Sequence, residues 1–351
     1  MRTLFSLALF CAAALGLTAA EPPLVVTANT ILDDLVHQVG GDQVRTHCLV
    51  RPGDDPHAFE PRPSDVKHLV GADILVVNGL NLEPAILKLA QNCGFRGEIL
   101  VATAGLSPRH GAAHHHEESE DHAPLGTPSS SSAPAVSAPT ALPAASATST
   151  PSTQSTVSTT APTSAPIENR KSEIENSAAD PHAWQSPRNI ATYIANIRDA
   201  LTRANPAAAA LYASRATAYL AELDALDRWV REQVATIPPA RRKLVTSHDS
   251  LGYFADAYGF ETVPLAGLST SAEPDARTLA TVVDLIRHEQ VPAVFIELTA
   301  NPKLVRQIGT DAGVRLAAPL FTDSLGAPGS GAETYLALIR TNVTRIVSAL
   351  R

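Results

Sequence analysis

The sequence has few cysteines, no second long apolar run and no excess of positive charge. Of its 3 cysteines, Cys11 lies in the N-terminal segment, which leaves Cys48 and Cys93 in the rest of the chain. Two cysteines exclude a scaffold built on disulfides, although the pair could form one bond or be two small buried apolar side chains. The formal net charge of −8 argues against general nucleic-acid binding, because that activity needs a basic surface to neutralise phosphates.

The first 20 residues predict that the protein is exported. They contain one charged residue, Arg2, then a short apolar stretch, and small residues immediately before Glu21. This order is typical of a secretion signal with its cleavage site. Phe10 precedes Cys11, where a lipoprotein signal has a small residue. No later stretch reaches the roughly 18 apolar residues of a membrane-spanning helix. We therefore expect a soluble periplasmic protein that starts near Glu21 and has no lipid anchor.

The composition changes sharply between about 105 and 178. The first part of this segment is rich in histidine and acidic residues, and the rest, to about 166, consists mainly of serine, threonine, proline and alanine. Such a segment cannot bury enough apolar surface to offset its ordering entropy. We predict an insertion without a fold of its own. Its histidines could bind metal weakly or be a solvated tract with adventitious affinity: His110, His114, His115, His116 and His122.

Short β-rich runs alternate with helical patterns on both sides of the insertion. One pattern, from Pro206 to Pro238, predicts a single long helix, because proline is tolerated in a first turn and ends a helix at its far side. Repeated strand–helix units predict an α/β fold with parallel sheets flanked by helices. We therefore expect an N-terminal lobe over 21–205, a rigid joining helix over 206–238 and a C-terminal lobe over 239–351. The predicted strands are 24–28, 45–51, 74–78, 99–102, 243–247, 262–266, 293–297 and 314–317.

Three histidines and one aspartate stand at predicted strand ends or helix starts, where open α/β sheets bind ligands. They are His57, His182, His248 and Asp323. Asp-Pro precedes both His57 and His182, and proline restricts the backbone that leads into each ring. Three imidazoles and one carboxylate suit Zn²⁺, and imidazole favours zinc over manganese, which prefers oxygen ligands.

Further acidic residues near these positions could orient a ligand by hydrogen bonding. Asp55 and Asp180 begin the two Asp-Pro-His triplets, Glu60 follows His57, and Glu297 ends a predicted strand. For Glu297, plain solvent exposure is the alternative. The remaining histidines outside the insertion lie in or beside predicted helices and strands, and we expect no ligand role for them: His37, His47, His68 and His288.

Several motifs in order along the chain resemble the metal receptors of bacterial ABC importers, the periplasmic solute-binding proteins for zinc and manganese. The motifs are DPHAFEPRPSD (55–65), NGLNLE (78–83), the histidine-rich insertion, DPHAW (180–184), SHDSLGYFADAYG (247–259), FIE (295–297) and DSLG (323–326). The chain departs from the usual family pattern at Gln185-Ser186, which follow DPHAW.

The resemblance implies that a metal ion is held between the two lobes. His57 and His182 would come from the first lobe, and His248 and Asp323 from the second. Manganese-type members have a glutamate where this chain has His248, so the resemblance implies a zinc receptor whose partner is the ABC permease of a zinc importer. It also implies that the histidine-rich insertion accompanies zinc. We expect a monomer with Zn²⁺ as its transported ligand and no catalytic activity.

Two alternatives remain open from the sequence. The first is a receptor of the same fold for manganese or iron, since the order of metal affinities alone does not decide selectivity in the cell. The second is a zinc-dependent hydrolase. A catalytic zinc keeps one coordination position open, whereas Asp323 would fill it here. The sequence contains no HExxH, Gly-x-Ser-x-Gly or P-loop motif, so nothing else in it favours the enzyme.

Overall fold

The computed structural model of the chain describes residues 21–110, 179–270, 274–299 and 302–351. The predicted secretion signal and nearly all of the predicted insertion lie outside these residues. Within them the α/β prediction is confirmed, because strands and helices alternate and every strand pair is parallel.

The bounds of the elements lie close to those predicted from the sequence. In the N-terminal part they are β1 (Leu24–Thr27), α1 (Thr30–Gly40), β2 (Arg45–Cys48), α2 (Pro63–Val70), β3 (Ile74–Val77), α3 (Pro84–Asn92), β4 (Glu98–Val101) and α4 (Pro187–Ala204). Then follow α5 (Ala209–Val234), β5 (Lys243–Thr246), α6 (Gly252–Tyr258), β6 (Glu261–Pro264), α7 (Ala276–His288), β7 (Ala293–Val294), α8 (Pro302–Ala312), β8 (Arg315–Leu316) and α9 (Tyr335–Leu350).

The N-terminal sheet has the strand order β2-β1-β3-β4. Val26 of β1 pairs with His47 of β2 on one side and with Leu75 of β3 on the other. The two central strands are runs of apolar residues, and Val26 and Leu75 are completely buried. This is what a parallel sheet covered by helices on both faces requires. The carboxyl ends of all four strands therefore lie at one edge.

The strands of the C-terminal part are shorter than predicted. β7 and β8 pair over only two residues each, and a further bridge joins Glu297 to Leu320. Pro319 lies between these pairings and has no N–H to donate, so it interrupts the ladder. Pairing resumes where the Leu320 N–H donates to the Ile296 carbonyl at 2.8 Å. After this bridge, residues 321–326, which include Asp323, are buried and belong to no helix or strand.

The long helix begins and ends inside the predicted limits. Pro206 opens a short 3₁₀ turn, and α5 itself runs for 26 residues from Ala209 to Val234, about 39 Å at the usual rise per residue. It packs against α1, α4 and α9. Its buried side chains recur at helical spacing and include Tyr212, Tyr219, Leu223, Leu226 and Val230.

Helix α9 belongs to the C-terminal part of the chain, yet it packs against α1 and α5. Tyr335, at its start, is completely buried, and its backbone N–H donates to Asp34 of α1 at 2.8 Å. One hydrophobic core therefore contains the N-terminal sheet together with α5 and α9. A second, smaller core lies among β5, β6, β7, α7 and α8.

Cys48 and Cys93 are free thiols, each partly buried. The Cys48 thiol donates to the Val50 carbonyl at 3.0 Å, and burial raises the pKa of this thiol to about 12. Both cysteines therefore behave as small, partly buried side chains, the second of the two interpretations that the sequence left open. Among the described residues, none of the helices has the length and apolar character needed to span a membrane.

Candidate metal centre

The structure brings the four predicted ligand residues together. One potential donor atom from each of His57, His182, His248 and Asp323 lies within 4.8 Å of every other. His57 sits in a 3₁₀ turn after β2, and His182 directly precedes the 3₁₀ turn that leads to α4. His248 follows β5, and Asp323 follows the bridge at Leu320. The group thus combines strand-end segments from the N-terminal and C-terminal parts.

The two Asp-Pro-His triplets fold in the same way. The Asp55 carboxylate accepts the backbone N–H of His57 at 2.8 Å, and the Asp180 carboxylate accepts that of His182 at 2.9 Å. An aspartate that binds the backbone two residues ahead makes a local turn, and the intervening proline restricts the backbone between them. Each triplet therefore holds its imidazole with little backbone freedom.

Two of the three imidazoles are also oriented through Nδ1. His182 Nδ1 lies 2.8 Å from Asp180 Oδ1, and His248 Nδ1 lies 2.5 Å from Glu297 Oε2. A carboxylate on one ring nitrogen fixes the tautomer and leaves the other nitrogen for a metal ion. The structure thus places Asp180 and Glu297 where the sequence suggested that they could orient a ligand.

The remaining ring nitrogens and one carboxylate oxygen face one another. Nε2 of His57 and Nε2 of His182 are 3.1 Å apart. Asp323 Oδ1 lies 3.5 Å from His182 Nε2, and Asp323 Oδ2 lies 3.5 Å from His248 Nε2. Asp323 Oδ1 is buried without a hydrogen-bond partner among the described residues. Leaving a buried carboxylate oxygen unpaired is costly, so this donor set fits a cation at its centre.

Glu60 does not join the group, so this part of the sequence interpretation was wrong. The chain leaves the 3₁₀ turn of His57 through extended backbone at Phe59. Glu60 is exposed and forms no hydrogen bond or ion pair with another described residue. Its closeness to His57 in the sequence therefore does not carry its carboxylate into the site.

The other histidines divide into those that lie elsewhere and those that the structure does not describe. His110 is exposed and forms a β-bridge with Ala179. His47 and His68 stack on each other with ring centroids 3.4 Å apart, away from the four ligand candidates. His114, His115, His116 and His122 lie outside the described residues.

Burial and neighbouring charges shift the pKa values of three of the four side chains away from their usual values. Burial, together with the neighbouring His182, lowers the pKa of His57 to about 3. Burial also disfavours charge on His248, but the carboxylates of Glu297 and Asp323 outweigh it and raise its pKa well above the usual value. Burial would raise the pKa of Asp323, but the imidazoles of His248, His182 and His57 hold it far below normal. Asp323 is therefore charged at physiological pH, and His57 is neutral.

Three hydrogen bonds hold the segment that carries Asp323, and none of them was predicted from the sequence. Trp184 Nε1 and Gln185 Nε2 both donate to the Thr322 carbonyl, each at 2.7 Å. The Thr299 hydroxyl donates to Asp323 Oδ2 at 2.8 Å. Gln185, which departs from the usual family pattern, thus binds the residue next to a predicted ligand. Its partner is 137 positions away, so no local pattern could have indicated the contact.

The chain is similar to known proteins over most of its length. The family described as zinc-uptake complex component A, periplasmic, matches residues 25–349. The chain is 31% identical over 326 residues to the manganese-binding lipoprotein MntA of Halalkalibacterium halodurans, covering 93% of this chain and 88% of that protein. It is 29% identical to the iron-binding protein YfeA of Yersinia pestis, covering 92% and 84%. The solved structure of the periplasmic zinc-binding protein TroA from Treponema pallidum superposes with a TM-score of 0.71 at 26% identity, covering 93% and 99%.

Proposed function

Since this chain belongs to the family of the periplasmic component A of zinc-uptake complexes, metal-binding receptors of ABC importers, we propose that its cargo is Zn²⁺. The ion is bound by His57, His182, His248 and Asp323 and delivered to the permease of a zinc importer. The protein acts as a soluble monomer in the periplasm after removal of residues 1–20.

The observation that carries this proposal is the composition of the donor set. Three imidazoles and one carboxylate lie within 4.8 Å of one another, and each is almost completely buried except His57. Zinc binds such nitrogen-rich sets in tetrahedral geometry. Asp180 and Glu297 hold two of the rings by Nδ1, so two Nε2 atoms are available without rearrangement. We therefore expect tight binding at neutral pH.

Manganese or iron is the alternative cargo, and the names of MntA and YfeA give it weight. Manganese prefers oxygen ligands, whereas Asp323 supplies the only carboxylate in the group of four. Glu297 is not available as a second one. Its oxygens accept hydrogen bonds from the Ser250 and Thr322 hydroxyls and from the backbone N–H of His248, at 3.1–3.2 Å. The ligand chemistry therefore favours zinc.

A zinc hydrolase is the less favoured alternative from another class. Four protein donors converge on the centre, so a bound zinc ion is saturated by protein, and a catalytic ion needs an open position for water. The nearby carboxylates of Asp180 and Glu297 are each engaged by an imidazole and do not serve as a free general base. This arrangement suits holding an ion.

The experiment is a zinc titration with manganese as competitor, on the full chain and on a chain that lacks residues 113–167. His182→Ala tests the centre, and His68→Ala is the control, since His68 stacks on His47 outside the group. We expect one tight zinc site in both chains that manganese does not displace and that only His182→Ala removes. Loss of zinc binding with residues 113–167 would refute the centre as the site. Displacement of zinc by equimolar manganese would favour the alternative cargo.

A further inference from the structure

Arg109 lies beside the candidate metal centre, although it is not one of the four candidate ligands. It lies directly before His110, and its guanidinium is mostly buried, with 19% of the side chain exposed. Nη1 lies 3.1 Å from Asp180 Oδ2 and 3.7 Å from Asp249 Oδ2, and Nε lies 3.1 Å from Asp256 Oδ2. One cation therefore contacts three carboxylates from two parts of the chain.

Asp180 connects this cation with a predicted metal ligand. Its Oδ1 accepts both His182 Nδ1 and the His182 backbone N–H, and its Oδ2 accepts Arg109. The carboxylate is completely buried, so its plane is fixed by these three donors. A contact to the second oxygen determines where the first oxygen lies, and the first oxygen orients the imidazole.

Asp249 connects the same cation with the other part of the site. It directly follows His248 in the sequence and is almost completely buried. Tyr253 adds a second link that does not involve the guanidinium, because its hydroxyl donates to the Asp180 carbonyl at 3.0 Å and accepts the backbone N–H of Arg109 at 2.8 Å. Arg109 thus fastens the segment of His182 to the segment of His248.

Gly252 leaves the space that Arg109 fills. A methyl group added at Gly252 would lie 2.2 Å from Arg109 Nη1 and 2.4 Å from Cζ, far inside van der Waals contact. Gly252 is the first residue of α6, where alanine is ordinarily a better helix former than glycine. Replacing this glycine by alanine would therefore be harmless to the helix but would displace the guanidinium.

We propose that Arg109 is a positioning residue for the metal centre, acting on His182 through Asp180 and on the His248 segment through Asp249. The inference rests on the proposed function, since it assumes that His182 binds the ion. Loss of the guanidinium leaves the buried Asp180 carboxylate with one free oxygen, and it can then turn away from its position. We expect about a 10-fold loss of metal affinity, the lower end of the usual effect of removing a group that contacts a metal-binding side chain directly, because Arg109 acts one contact further out.

The test uses the full chain and Co²⁺, whose visible absorption reports the geometry of its ligands, followed by a zinc competition for affinity. The variants are Arg109→Gln, Arg109→Lys and Gly252→Ala. The control is Arg215→Gln, because Arg215 also packs over a glycine, Gly41, and pairs with Asp42 at 3.0 Å. Spectra are taken as differences from His182→Ala, which removes the contribution of other metal-binding residues.

We expect an altered Co²⁺ spectrum and weaker zinc binding in Arg109→Gln and in Gly252→Ala, partial recovery in Arg109→Lys, and no change in the control. Thermal unfolding of the metal-free proteins accompanies each measurement. If Arg109→Gln does not fold, Gly252→Ala and Arg109→Lys decide the question, since both keep a cation at 109. Wild-type spectra and affinities in these variants would overturn the inference alone. Absence of a His182-dependent Co²⁺ spectrum in the wild-type chain would instead overturn the proposed function, and this inference with it.

Discussion

The strongest quantitative prediction concerns the two side chains that hold the Thr322 carbonyl. Trp184 Nε1 and Gln185 Nε2 each donate to it at 2.7 Å, Thr322 is completely buried, and no other donor to this carbonyl occurs among the described residues. Removing one donor leaves the carbonyl with the other and costs about 1 kcal/mol for the hydrogen bond. Removing both leaves a buried carbonyl unsatisfied, which costs a further 1–3 kcal/mol or so.

A double-mutant cycle isolates this effect. Gln185→Leu removes one donor at similar volume, and Trp184→Phe removes the other. The loss of packing at Trp184 occurs in both arms of the cycle and cancels. We expect the double variant to be less stable in urea unfolding of the metal-free protein than the sum of the single variants, by about 1–2 kcal/mol. Additivity within about 0.5 kcal/mol would refute the reasoning, because it would mean that the carbonyl finds another donor.

Three further predictions concern the ligands and their partners. Because the pKa of His57 falls from 6.5 to about 3 on folding, the metal-free protein should lose stability as the pH drops through this range, by up to about 1.4 kcal/mol per pH unit. In urea unfolding, His57→Asn should reduce this slope, and an unchanged slope would contradict the prediction. Because the pKa of His248 is raised, zinc binding at pH 7 should release about one proton, seen as a calorimetric heat that differs between buffers; equal heats contradict it. Glu297→Gln weakens the contact to His248 Nδ1 and should lower zinc affinity by about 10- to 100-fold in a chelator competition. Ser250→Ala removes one donor to Glu297 but keeps its carboxylate, so it should change the affinity little; unchanged affinity in Glu297→Gln contradicts the orienting role.

The parts of the structure that depend on local chemistry could be predicted from the sequence. The alternation of strands and helices predicted the parallel sheets, since each apolar run is long enough for a strand and is followed by a helical pattern. The two Asp-Pro-His triplets predicted stiff loops, and each aspartate indeed binds the histidine backbone. The predicted strand 293–297 was too long because its later residues lie opposite Pro319, which has no N–H to donate, whereas the prediction counted apolar residues alone.

Contacts between distant segments could not be predicted in this way. Glu60 lies three positions from His57 but is exposed, whereas Asp180 and Arg109 lie 71 positions apart and form a partly buried ion pair. A single sequence contains no periodicity that links such pairs, because the tertiary fold and not local spacing brings them together. The orienting residues of the site therefore had to be read from the structure, even where the ligand candidates themselves stood out.

The hydrogen bonds around Asp323 also bear on how the ion can leave. The segment over 322–325 belongs to the C-terminal part, but it is bonded to the N-terminal part by Trp184 and Gln185 at Thr322, by the Gly53 N–H at Ser324 and by Thr30 at Leu325. Separating the two parts along the predicted lobe boundary would break all four bonds, at about 1 kcal/mol each. Moving only the smaller core of β5, β6, β7, α7 and α8 would keep these four bonds. It would instead break the backbone bonds of Leu320 with Ile296 and Leu298, together with the Thr322–Glu297 and Thr299–Asp323 bonds. His248 follows β5 and is held by Glu297 beside that core. The Asp323 segment is therefore bonded to both parts, so neither separation releases the ion without breaking several buried hydrogen bonds.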